Sequence, residues 1–173
     1  VSAGHEQQKL DLYLPAVGTN LPLIVWVHGG AWRTGDKAPC PARFFLKDGY
    51  AVASLNYRLS QEAVFPAQLQ DCKAAIRWLR AHAREHGIDP ERFGVWGSSA
   101  GGHLVALLGT SDANAGFAAG QYAEYSSRVQ AVVDYFGPSD LTVIFEGVQK
   151  KYSAVFGAKD AADFVLWRNG GPL

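Results

Sequence analysis

The chain opens on alternation. Lys9-Leu-Asp-Leu-Tyr-Leu-Pro15 sends apolar and polar side chains to opposite faces, the pattern of a half-exposed strand near a sheet edge. Leu21 to Val27 is an unbroken apolar run of strand length, which suits a strand covered on both faces of a parallel sheet. Tyr50–Tyr57, Phe93–Trp96 and Val129–Phe136 are predicted as the third, fourth and fifth strands. Between the strands the period changes. Phe65, Leu69, Cys72, Ile76, Leu79 and Ala83 recur every three or four positions, while Lys73, Arg77, Arg80 and Arg84 take other positions on the wheel. This spacing predicts a long amphipathic helix that Gly87 stops. A second helix is predicted from Ala100 through Leu108, and the small and polar stretch from Gly116 to Ser127 reads as an ordered loop or an insertion.

Strands alternating with helices predict an α/β fold with a mostly parallel sheet. The 173 residues suit a single domain spanning 1–173, with no repeat or linker. Nearly half the residues (48%) are apolar, as in a globular chain. Sixteen basic and sixteen acidic residues cancel, so composition gives no support to a nucleic-acid partner. No apolar run approaches the roughly 18–20 residues of a membrane span. Val1–His5 has neither the basic start nor the apolar stretch of a signal peptide.

The chemistry concentrates at two glycine-rich turns. Gly97-Ser98-Ser99-Ala100-Gly101 matches G-x-S-x-G, a pattern that is weak alone. Here a short apolar strand enters it and a helix rich in small residues leaves it, which is the context of a nucleophile elbow. Ser98 is the spacer and Ser99 the expected nucleophile, set at a helix N-terminus whose partial positive charge faces it. The flanking Gly97 and Gly101 keep the turn tight. His28-Gly29-Gly30-Ala31-Trp32 directly follows the buried second strand. Acyl transfer needs fixed N–H donors for an oxyanion, and glycines let backbone amides approach a ligand. The expected donors are the amides of Gly29, Gly30 and Ala100. The His28 ring is expected to pin the loop by hydrogen bonds. Trp32, with the loop Thr34–Pro41, either lines the acyl side of the site or packs beneath the loop as core. No metal and no cofactor is called for.

Several motifs together resemble a known family. His28-Gly-Gly-Ala-Trp32, Asn56-Tyr-Arg-Leu59, Asp71-Cys-Lys-Ala-Ala-Ile-Arg-Trp-Leu79, Gly97-Ser-Ser-Ala-Gly-Gly-His103 and Asp134-Tyr-Phe-Gly-Pro-Ser-Asp-Leu141 look like the carboxylesterases related to hormone-sensitive lipase. The nearest branch is the bifunctional feruloyl and acetyl-xylan esterases. The resemblance runs from about Lys9 to Leu141. It implies an α/β-hydrolase fold and serine ester hydrolysis, with acetyl or feruloyl esters of plant polysaccharide as substrate class. By count alone, Cys40 and Cys72 can be a disulfide or two small buried hydrophobes. The resemblance favours the disulfide, which would imply a secreted or periplasmic protein, and otherwise a cytoplasmic one.

The triad of this fold runs Ser, then Asp or Glu, then His. The histidines stand at 5, 28, 82, 86 and 103, and none follows the helix after Ser99. His103 is four residues past the nucleophile on the same helix and is read as packing. Asp134 is read as structural within a strand, and Ser139 or Asp140 as a helix cap. The resemblance implies that acid and base come from later segments, so the sheet is expected to stop after about the fifth or sixth strand. Ala154–Leu173 is poor in strand formers. The fifth strand would then be a bare edge on which Val132, Tyr135 or Phe136 lose cover. Three explanations stand: a truncation or fragment, a second chain or copy that completes the sheet by association, or a shortened relative. As functions, a serine esterase, a non-catalytic binding module lacking the base, and an amidase or peptidase remain open.

Overall fold

A computed structural model of the protein describes residues 4–111, 115–117 and 119–141. Within them a five-stranded sheet is formed by β1 (Leu10–Tyr13), β2 (Leu21–Val27), β3 (Ala51–Leu55), β4 (Ile88–Ser98) and β5 (Ala131–Tyr135). The spatial order is β1-β3-β2-β4-β5. Only β1 runs antiparallel, against β3, and the other pairings are parallel. The alternating segment is therefore the edge strand and the continuous apolar run lies at the centre, as their patterns require. This is the α/β-hydrolase architecture expected from the sequence.

Helix α1 (Ala67–Ala81) and helix α2 (Ala100–Thr110) connect the strands. The predicted start of α1 at Phe65 is corrected. Phe65 precedes Pro66, whose ring disfavours helical backbone in the residue before it, so the helix begins at Ala67. The predicted stop shifts as well. The chain leaves α1 at His82 and reaches Gly87 through a short 3₁₀ turn, where Gly87 adopts the left-handed conformation. A 3₁₀ segment that the periodicity did not predict, Pro41–Asp48, follows the loop after β2. A proline in its first turn and left-handed Gly49 at its end bound it.

The sheet separates two apolar layers. Leu23, Val25 and Val27 face a large cluster with Leu55, Phe65, Leu69, Cys72, Ile76 and Leu104. Trp26 faces a smaller one with Cys40, Ala42 and Val52. The disulfide expectation is therefore corrected. Both cysteines are free and buried, and they belong to opposite faces of the sheet. A bridge needs Cα atoms within about 7 Å, whereas packed layers stand about 10 Å apart. The argument for an oxidising compartment falls with the pair. No helix among the described residues is long and apolar enough to cross a membrane.

Lys73, Arg77 and Arg80 also depart from expectation, because they are buried. Each donates to main-chain carbonyls of neighbouring segments. Lys73 reaches Ser111 at 3.1 Å, and Arg77 reaches Gln121 at 3.2 Å and Ala119. Arg80 reaches Pro90 at 2.9 Å, Arg128 at 2.7 Å and Ser126. The stretch read as an ordered loop thus lies across α1, its carbonyls satisfied by α1's cations. β5 is the far edge among the described residues, with Val132, Val133, Tyr135 and Phe136 exposed, Phe136 to 78%. The readings made for segments beyond Leu141, including Ala154–Leu173 and the triad acid and base, lie outside the described residues. Asp140 directly precedes Leu141, which is helical.

Candidate active site

The site forms where the sheet order reverses. β2 continues towards β3 on one side and β4 towards β5 on the other, so the loops leaving β2 and β4 diverge and open a crevice at their C-terminal ends. Val27 and Gly97 are register partners there. The two glycine-rich turns, 70 positions apart in the chain, therefore emerge side by side.

Ser99 sits between β4 and α2 with φ 54° and ψ −120°, a conformation that L-residues rarely adopt. Ala100 is the first residue of α2, so its amide has no carbonyl four residues back in the helix. The turn is tight because backbone meets backbone. A β-carbon on Gly101 would stand 2.1 Å from the Val27 carbonyl oxygen, and one on Gly97 would stand 2.3 Å from the Gly101 oxygen. The Ser99 amide donates to the Tyr135 carbonyl at 2.8 Å and ties the elbow to β5.

The loop after β2 lies on this elbow. A β-carbon on Gly29 would come within 3.3 Å of Ser99 Cβ. Gly30, Ala31 and Trp32 then take positive φ in succession, 109°, 53° and 56°, and the Gly30 carbonyl accepts the amides of Arg33 and Thr34 at 3.0 Å each. Neither Gly29 nor Gly30 donates its amide to another described residue. Those two N–H groups and that of Ala100 are the expected oxyanion donors, and of the two glycines Gly29 is the one packed against Ser99. His28 is buried, and burial holds its imidazole below the ordinary histidine range. Its Nδ1–H donates to the Gly29 carbonyl at 2.7 Å.

Trp32 is corrected as a pocket-lining residue. It is 1% exposed and meets the His103 ring edge-on at 5.2 Å, so it is core. His103 packs between Trp32 and Phe65, and burial pushes its pKa down to about 4. Asp134 Oδ1 accepts the Gly137 amide at 2.8 Å within the β5 turn. Among the described residues Ser99 Oγ makes no hydrogen bond to a histidine. Two cavities lie elsewhere. One of about 490 Å³ is lined by Phe45, Trp96 and Tyr135, and one of about 830 Å³ lies against Gln8, Trp78 and Tyr122.

Asn56, Tyr57, Arg58 and Asp71 carry no assigned role in the sequence reading, yet they surround the loop. Asp71 accepts from Arg58 Nε and Nη2 at 2.8 Å each, from the Arg58 amide at 3.0 Å and from Gln8 at 2.7 Å. Their only signal in the sequence is membership of the recurring Asn-Tyr-Arg and Asp-Cys-Lys segments.

The sequence matches the BD-FAE family over residues 10–168. It is 36% identical over 124 residues to the probable carboxylic ester hydrolase LipM of Mycobacterium tuberculosis, covering 70% of this chain and 28% of that protein. It is 42% identical over 97 residues to the carboxylesterase NlhH of the same species, covering 54% and 30%. The chain thus spans about a third or less of the curated relatives it matches. Among solved structures, a truncated carbohydrate esterase from gut microbiota superposes with a TM-score of 0.85 at 35% identity, over 99% of this chain and 68% of that one. A bifunctional GH43-CE protein of Bacteroides eggerthii gives 0.85 at 33% identity, over 99% of this chain and 25% of that one. A family match over most of the chain, joined to this fold, shows that the chain belongs to the BD-FAE family of α/β-hydrolases.

Proposed function

We propose that the chain carries the nucleophile and oxyanion half of a serine carboxylic ester hydrolase. The observation that carries this reading is the strained Ser99 backbone with Gly29 packed against it. Ser99 Oγ attacks the ester carbonyl carbon while a histidine not present among these 173 residues takes its proton. The carbonyl oxygen becomes an oxyanion facing the amides of Gly29, Gly30 and Ala100. The intermediate collapses, the alcohol leaves with the proton from that histidine, and an acyl-Ser99 ester remains. Water, deprotonated by the same histidine, releases the acid and restores Ser99. No metal or organic cofactor takes part.

As substrates we propose acetyl or feruloyl esters of plant polysaccharide. Two solved relatives named as carbohydrate esterase and GH43-CE proteins support this class over simple lipids. In this reading the exposed loop around Thr34 and Asp36 meets the acyl group.

The test is covalent labelling. In an active form of the protein, a fluorophosphonate probe should modify the wild type at Ser99 and leave Ser99→Ala unlabelled. Equal labelling of the alanine variant refutes the assignment. The described residues supply no base, so the 173-residue chain alone should turn over p-nitrophenyl acetate well below about 1 s⁻¹, the low end of ordinary enzymes.

A further inference from the structure

The oxyanion loop is strained. Three consecutive residues, Gly30, Ala31 and Trp32, hold positive φ, and Ala31 and Trp32 carry a β-carbon that opposes it. Such a turn persists only if its surroundings fix it. Those fixing contacts converge from the exit of β3.

Tyr57 holds the front of the loop. Its hydroxyl donates to the His28 carbonyl at 3.0 Å in a buried position. Its ring stacks on the His28 imidazole with centroids 4.4 Å apart and planes at 16°. That imidazole in turn donates to the Gly29 carbonyl. The orientation of the Gly29–Gly30 peptide, and so the aim of its N–H, therefore runs through Tyr57.

Asn56 holds the back. Its Oδ1 accepts the Lys37 amide, and its Nδ2 donates to Asp36 Oδ2 at 2.9 Å. Ser54 Oγ adds a bond to the Lys37 carbonyl at 2.6 Å, and the Ser60 amide donates to the Trp32 carbonyl at 2.8 Å. Arg58 fastens the same stretch to α1 through Asp71. Successive residues thus grip the two ends of the loop and the helix beneath it.

We propose that Tyr57 and Asn56 are positioning residues that preorganise the oxyanion hole, Tyr57 by fixing the His28–Gly29 backbone and Asn56 by fixing the loop at Asp36–Lys37. The proposal rests on the reading of Gly29 and Gly30 as oxyanion donors. Burial raises the pKa of the Tyr57 hydroxyl well above the ordinary tyrosine range, so it remains a donor at any working pH. Removing only that hydroxyl leaves the stacked ring in place and frees the loop to sample less strained backbone.

Tyr57→Phe is the informative variant. In the 173-residue chain, amide hydrogen exchange in the segment 28–35 should rise at least tenfold, with β2 and β4 unchanged. In an active form of the enzyme, kcat on p-nitrophenyl acetate should fall about tenfold with KM within twofold. The affinity for a trifluoromethyl ketone, which forms the oxyanion without turnover, should fall by the same factor as kcat/KM. Asn56→Ala should act in the same direction from the other end of the loop and serves if Tyr57→Phe folds poorly. Unchanged exchange at 28–35 in both variants overturns the clamp. A fall in kcat/KM with undiminished ketone affinity overturns its link to the oxyanion. A wild type that reacts with neither probe nor ester refutes the esterase reading instead, and the exchange measurement still decides the clamp.

Discussion

A β-carbon on Gly29 would stand 3.3 Å from Ser99 Cβ and 2.8 Å from the Ser98 carbonyl oxygen. The loop after β2 therefore rests on the elbow with no room for a side chain between them. Gly29→Ala should push the loop off Ser99 and misplace its amides. Loss of one oxyanion donor costs about 10²–10³ in kcat. The expected outcome is a fall of at least 10²-fold in the fluorophosphonate labelling rate of an active form. Labelling within threefold of wild type would show that the loop accommodates the methyl group and is not in contact at the moment of reaction.

Asp71 is a buried carboxylate that accepts four hydrogen bonds, three of them from Arg58. Breaking a buried pair by removing one partner leaves the other charge uncompensated, at about 3–5 kcal/mol. Arg58 is partly exposed, which puts Asp71→Ala near the lower end, about 3 kcal/mol. Urea unfolding of the chain measures it. A change below about 1 kcal/mol would mean that water replaces the partner at little cost.

His103 supplies a pH dependence. Burial depresses its folded pKa from 6.5 to about 4. Between those values the unfolded chain binds a proton that the folded chain refuses, so stability rises with pH. The contribution is fully present above about pH 6.5 and is lost as pH falls to about 4, roughly 3 kcal/mol in all at 1.36 kcal/mol per unit. His28, depressed by its own burial, adds in the same direction. Urea midpoints at pH 7 and pH 4.5 should differ, and His103→Gln should flatten the difference. An identical slope in the variant would assign it to other groups.

Cys40 and Cys72 should titrate as two free thiols under denaturing, non-reducing conditions, since they occupy opposite faces of the sheet. Burial raises the Cys72 thiol well above its ordinary range, so in the native protein it should react slowly with a thiol reagent at neutral pH. Zero free thiols after denaturation would require a different chain path between the loop after β2 and α1.

Much of the fold follows from the chain's own periodicity. Leu21–Val27 is apolar at every position because both its faces are covered, and Lys9–Pro15 alternates because it borders the sheet. The elbow is legible because Gly97 is required by a contact with Gly101 only four residues away, which a short motif can encode, whereas the contact that requires Gly101 is with Val27 on the neighbouring strand. The state of Cys40 and Cys72 is not legible in this way, because two cysteines in sequence carry no information about which side of a sheet each one faces.

Tertiary structure alone decided the rest. Gly29 meets Ser99 only because β2 and β4 are neighbours in a sheet whose order is not the order of the chain. Lys73, Arg77 and Arg80 look solvated on a helical wheel, and they are buried because a loop some 40 residues later lays its carbonyls across them. Trp32 follows Gly30 by two residues, yet three positive φ angles in succession turn it into the core. Tyr57 and Asn56 hold the loop through bonds spanning 29 and 19 residues. Local pattern determines which segments become strand, helix and turn. The contacts that set the loop after β2 against Ser99 join segments distant in the chain, and those are fixed only when the sheet order brings them together.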